Sequence, residues 1–264
     1  MLKSLFCSLA LFSVIYANNV HAAKVKECQT EVCVSYFNQY KAAAKRGHGE
    51  AMHFLGELYY AGYGTQQNIE LALYYFKKAA KGGVVAGHYK AGLVYLSHPN
   101  FKNVDKGIRY LETAARKNFK NANFLLAIIY INKQFGLLNL QKADAYLAKI
   151  YLDRHPDVPT LIEYIEEEKS INESSFPRLY QVMSQQPLQK SAQGKLAWPI
   201  DQVEVITITS PKVEEVLSER LVLFRRPTKA LGSRLPNNAC NNRFGCYSAF
   251  GFDSLRDFPF LTIN

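Results

Sequence analysis

The chain contains no Cys-x-x-Cys pair, so thiol–disulfide exchange has no residues to run on. It has no Ser-x-x-Lys, the spacing that sets a serine nucleophile beside its base in β-lactamases and penicillin-binding proteins. Gly-x-Ser-x-Gly, His-Glu-x-x-His and phosphate-cradling glycine loops are absent as well. These gaps argue against an enzyme, and no cofactor is expected. Long apolar runs are scarce: apart from Leu5 to Ala17, no segment approaches the ~20 apolar residues of a membrane span. Acid is also short, with 22 Asp and Glu against 32 Lys and Arg for a net charge of +10.

The Leu5–Ala17 run follows Lys3 and precedes Val20-His21-Ala22, a small-residue cleavage site. This is the pattern of a secretory signal peptide over residues 1–22, and it places the mature protein in the periplasm or outside the cell. Cys7 lacks the small neighbours of a lipoprotein signal. Four cysteines remain after cleavage: Cys28, Cys33, Cys240 and Cys246. An even number in an oxidising compartment favours disulfides over metal ligation. Of the three connectivities, two local loops, Cys28–Cys33 and Cys240–Cys246, are the simplest expectation.

What the chain does have is a unit of about 35 residues that recurs between Ala51 and Ile150. The first copy reads Ala51, Leu55-Gly56, Tyr59, Gly62, Gly64, then Leu71-Ala72, Tyr75, Ala79-Ala80 and Gly82. The second reads Gly87, Ala91-Gly92, Tyr95, then Lys106-Gly107, Tyr110 and Ala114-Ala115; the third reads Ala122, Leu126-Ala127, Tyr130, then Lys142-Ala143 and Tyr146. Tyr36 to Gly47 lines up with the second half of a unit. Spacings of i, i+4 and i+8 mark one face of a helix, so each unit predicts two antiparallel helices. No single pair buries its apolar face alone, so the pairs must stack into a superhelix.

The run Ala51-x-x-x-Leu55-Gly56-x-x-Tyr59-x-x-Gly62-x-Gly64, followed by Leu71-Ala72-x-x-Tyr75-x-x-x-Ala79-Ala80-x-Gly82, resembles the Sel-like repeat family, relatives of the tetratricopeptide repeats. Copies two and three lack the Gly-x-Gly turn. The resemblance covers roughly residues 36 to 150. It implies an α-solenoid that acts as an interaction scaffold, an adaptor rather than a reaction centre.

The fold expected is mainly α: a signal peptide (1–22), a solenoid of stacked helical hairpins (23–186) and a small α+β C-terminal module (187–264). Helices are expected at Leu161 to Lys169 and at Phe176 to Met183, followed by a polar linker from Gln185 to Gly194. Val203 to Thr209 alternates as a strand. Val213 to Arg220 reads as a short helix capped by Ser210, with Leu221 to Phe224 open between helix and strand. The aromatic tail from Gly232 is too apolar for a solvated end and should dock. Charge is uneven: residues 24–150 carry 18 bases against 8 acids, and residues 151–175 carry 2 against 7.

In the tetratricopeptide register, Leu55, Gly56 and Tyr59 point into the core. Glu50, His53, Glu57 and Tyr60 then face the concave groove, followed by Ala86, Tyr89, Leu93 and Leu96 in copy two and Asn121, Phe124, Ile128 and Ile131 in copy three. The groove thus runs from polar to apolar, and an apolar surface of that size marks an interaction site. Either a partner lies on it or the chain's own C-terminal module covers copies two and three; the internal cover is the expectation. Metal is not expected at His48, His53 and His88, which no carboxylate spacing supports. The function expected is an envelope scaffold that holds another envelope protein through His53, Glu57, Tyr60, Tyr89, Leu93, Leu96, Phe124 and Ile128. The alternative is a protein that binds or hydrolyses cell-wall material, its basic face meeting an anionic glycan or membrane surface. Export argues against nucleic acid, and the oligomeric state is left open.

Overall fold

The structure, a computed structural model, describes residues 27–132, 135–168, 171–191, 194–199 and 212–224. Helices dominate. In chain order they are α1 (Glu31–Lys45), α2 (Gly49–Ala61), α3 (Ile69–Lys81), α4 (Val85–Ser97), α5 (Val104–Arg116), α6 (Lys120–Ile131), α7 (Leu140–Leu152), α8 (Val158–Glu168), α9 (Pro177–Gln185) and α10 (Val213–Leu223). A two-residue antiparallel pair, β1 (Gln189–Lys190) with β2 (Leu196–Ala197), lies between α9 and α10. The expected polar linker therefore begins inside α9 and holds the first strand of this pair. The signal segment, the strand read at 203–209, the Cys240–Cys246 bridge and the aromatic tail all lie outside the described residues. Cys28 and Cys33 are joined as expected.

The three sequence copies are the hairpins α2–α3, α4–α5 and α6–α7, with α1 as the half-unit before them. Each turn inside a hairpin is closed by an asparagine. Asn68, Asn103 and Asn139 accept the third backbone N–H of α3, α5 and α7, each at 2.9 Å. The same asparagines donate their own N–H to Tyr59 O, Tyr95 O and Tyr130 O at 2.8, 2.7 and 2.9 Å. An N-cap of this kind contributes about 1 kcal/mol. It explains how one corner survives different turns: Gly62 (φ 73°) and Gly64 (φ 68°) shape the first, and a 3₁₀ turn at Pro99–Phe101 shapes the second. The tyrosines flanking the corner stack in pairs, Tyr59 on Tyr75, Tyr95 on Tyr110 and Tyr130 on Tyr146, at 5.7, 5.7 and 6.1 Å.

Between hairpins the chain reverses through a left-handed residue at one repeating position: Gly47, Gly83, Asn118 and Arg154. The residue after each donates to a carbonyl five residues back: His48 to Ala43, Val84 to Ala79, Phe119 to Ala114 and His155 to Ile150. This is the Schellman arrangement, and it satisfies helix-end carbonyls as the chain turns.

Helix α4 lies against both neighbours with little space between. A Cβ on Gly87 would stand 2.7 Å from Ala80 N and 2.8 Å from Phe76 O, the backbone of α3. One on Gly92 would stand 3.0 Å from Leu111 and 3.2 Å from Gly107 O in α5. The buried side chains of α4 divide between two cores. Ala91, Val94 and Tyr95 join the core of α1 to α3, whereas Tyr89, Leu93 and Leu96 join the core that runs through α5 to α9.

Both ends of the solenoid are closed by later parts of the chain. At the far end, the buried Asp144 carboxylate of α7 accepts Arg178 N–H and Leu179 N–H, at 3.2 and 2.9 Å, and so caps α9. Past α9, Tyr151 Oη donates to Gln186 O, Leu196 N–H to Glu163, and Trp198 Nε1 to His155 O. At the near end, Tyr40 Oη donates to Leu217 O at 3.0 Å and Tyr63 Oη to Glu214 at 2.8 Å, while the Phe224 ring meets Tyr40 and His48. Leu221 to Leu223 therefore continue α10 as helix, and Lys212 rather than Ser210 is its N-cap. The described parts of the C-terminal module divide between the two ends: residues 188–198 pack on α7 of copy three and on α8, and α10 packs on α1 and the turn after α2.

Replacing Gly87 with alanine would push α4 off α3, since backbone and not a movable side chain blocks the new methyl. We expect a loss of about 1–3 kcal/mol in thermal unfolding with helicity retained; an unchanged melting temperature would contradict the close packing.

Candidate functional site

Of the residues read as a concave strip, the structure leaves Glu50, Tyr60 and Asn121 half-buried. His53, Glu57, Tyr89, Leu93, Leu96, Phe124 and Ile128 are all buried. The physical reason is composition. Helix α4 carries buried residues at Ala86, Gly87 and every position from Tyr89 to Leu96, and α6 at every position from Ala122 to Ile131. A helix that is apolar all round is interior, not one wall of an open groove. Tyr89 packs 4.9 Å from Phe119, and Phe124 lies flat on His155 at 4.3 Å. Leu93, Leu96 and Ile128 belong to the same core.

At its polar start the strip contains charge. Glu57 on α2 and Lys90 on α4 are 1% and 3% exposed, and Lys90 Nζ stands 3.3 Å from Glu57 Oε1. With Tyr60, Phe76, Leu93, Val94 and Ser97 they line one small cavity. Ser97 Oγ turns back to Leu93 O at 2.8 Å. Lys90 was not among the residues expected from sequence. It falls one residue beyond the groove position Tyr89, and its burial follows from α4 being enclosed on both flanks.

His53 lies beside this pair, its Nε2 4.0 Å from Glu57 Oε1 and its ring against Phe54 and Phe76. Burial, and then the Lys90 charge, lowers its pKa from 6.5 to about 3. The imidazole is therefore neutral near pH 7, and its contact with Glu57 is not an ion pair there. A neutral histidine, a carboxylate and an ammonium in a tight interior form a structural cluster; the observed geometry offers no nucleophile paired with a base. Among the described residues, no group of three or more His, Cys, Asp or Glu is placed to hold a metal ion. No described helix is long and apolar enough to cross a membrane.

The His53 shift has a pH consequence of definite sign. Below about 6.5 the unfolded chain protonates this histidine while the folded chain keeps it neutral down to about 3, so stability falls as pH drops through that window. The buried His48 and His155 and the half-buried His88 are shifted the same way and remain in a His53→Gln variant, so comparing the two proteins isolates His53. The acid loss of wild type should exceed that of the variant by about 1.4 kcal/mol per pH unit in chemical denaturation. Parallel pH profiles would place His53 in contact with water.

The Sel1 repeat family matches residues 49–84 and 86–119, the hairpins α2–α3 and α4–α5 with their closing turns. No curated protein matches the chain in sequence. Among solved structures, a Sel1 repeat protein from Oxalobacter formigenes is similar at 24% identity over 44% of this chain and 49% of that one, with a TM-score of 0.41. The protein c5321, described as a protective antigen present in uropathogenic Escherichia coli strains displaying an SLR fold, is similar at 19% identity over 57% of this chain and 33% of that one, with a TM-score of 0.46. The chain thus spans half or less of either of these proteins. Sel1 repeats in general mediate protein–protein interaction and are typically non-catalytic. Residues 49–84 and 86–119 are Sel1 repeats, a match that covers a segment of this chain.

Proposed function

We propose that the chain is an exported scaffold of the bacterial cell envelope that holds another envelope protein. The observation that carries this reading is the coincidence of two Sel1 repeats with the hairpins α2–α3 and α4–α5, packed in one continuous stack with α6–α7. Export is supported by the leader-like first 22 residues and by the Cys28–Cys33 disulfide, which suits an oxidising compartment.

The concave contact centres on Tyr60. It is half-buried, with the Glu57–Lys90 pair beside it in the same cavity wall. Leu93 lines the same cavity and His53 lies beside Glu57, while Tyr89, Leu96, Phe124 and Ile128 are buried core. Replacing Tyr89 with alanine would thus test stability, at about 3–5 kcal/mol for a buried aromatic, and not partner capture.

A photo-crosslinking amino acid at position 60 of the exported full chain should trap one dominant envelope protein in cells. The same residue at the exposed Glu173, beyond the repeats, should not. Recovery of cell-wall fragments alone, or of the same protein from both positions, would overturn this reading.

A further inference from the structure

The outer faces of the hairpins form two equivalent clefts, one between α3 and α5 and the next between α5 and α7, and the two differ in charge. Stepping by one repeat of about 35 residues pairs Lys77 with Glu112, Lys102 with Leu138, Lys106 with Lys142 and Tyr95 with Tyr130. In the second cleft, Lys142 Nζ stands 3.3 Å from Glu112 Oε1 and 4.7 Å over the Tyr130 ring, and Tyr130 Oη donates to Glu112 at 2.9 Å. That cleft neutralises itself. In the first cleft Lys106 lies 5.7 Å over the Tyr95 ring in the same way. The position that supplies the carboxylate, however, is Lys77, and Lys102 adds a third ammonium. All three lysines are exposed, and none is in an ion pair among the described residues. Glu70 lines the same cleft without pairing to them. Tyr74, 48% exposed, and Phe101 give it an aromatic wall.

We propose that this first outer cleft binds an acidic segment of a protein partner, its carboxylates taking the place that Glu112 fills in the second cleft. The proposal rests on the scaffold reading above and names a second surface and its chemistry. Three uncompensated ammonium groups along a cleft between two helices complement a row of carboxylates. The aromatic wall accepts the apolar stems between them.

The test is fluorescence anisotropy of a labelled oligoglutamate peptide against the mature full-length protein at low salt. Binding should be present and should fall as salt rises. Lys77→Glu recreates the self-neutralised second cleft, so it should weaken binding by about tenfold or more while leaving the melting temperature unchanged. Glu112→Lys should strengthen binding by opening the second cleft. Lys117→Glu, an equal charge change on an exposed residue outside the cleft, should leave binding near wild type. Equal weakening by Lys117→Glu would reduce the effect to net charge and overturn the site. So would absent binding, or Lys77-dependent binding of polygalacturonate without binding of oligoglutamate, which would assign the cleft to a glycan. Crosslinking from position 60 is read independently, so either surface can fail without the other.

Discussion

The close approach of α4 to α3 at Gly87, and to α5 at Gly92 and Gly107, is the constraint on which the rest of the structure depends. Because a methyl group at Gly87 would meet backbone, the helix axis is held where only glycine fits. With α4 fixed on both flanks, its side chains serve two cores at once, Val94 and Tyr95 on one side, Leu93 and Leu96 on the other. A stack of repeats in which each unit touches only its neighbours is as cooperative as its interfaces are tight. Here the close approaches on both flanks of α4 lie within the Sel1 segment.

That placement also explains the buried charge. Lys90 is carried into the interior by an enclosed helix and meets Glu57 across the α2–α4 contact. Removing two charges from water costs several kcal/mol per ion before their attraction returns it, so such a pair is weak evidence for stability. Its effect is on register: α4 cannot slide past α2 without breaking this ion pair in the interior. A fixed register gives Tyr60 and the cavity beside it a fixed shape, which a recognition surface needs.

The hairpin repeat was legible because alanine, leucine and tyrosine recur at helical spacing, and the structure places helices where those spacings fall. The corners were only partly legible. Gly62 and Gly64 announced the first turn, yet the residue common to all three is the asparagine at 68, 103 and 139, whose side chain caps the next helix. Its even recurrence was available in the sequence. A register borrowed from a related repeat assigns faces to the concave strip, but Tyr89 to Leu96, Lys90 apart, and Phe124 to Ile131 are apolar on every face, which marks interior helices. Lys77 and Glu112 occupy one repeat position with opposite charges, and that contrast gains meaning only once the clefts are seen to be equivalent. Asp144 and the strap it anchors through α9 depend on contacts 34 and 35 residues apart, which no local pattern encodes.

The solenoid is one body because α4 joins its two cores. Hydrogen exchange by mass spectrometry on the full chain tests this most directly. Amides of α2 to α7 should exchange together, at a rate set by global unfolding, with α4 among the slowest. Early exchange in α1 to α3 while α5 to α9 stay protected, with α4 following either side alone, would contradict it.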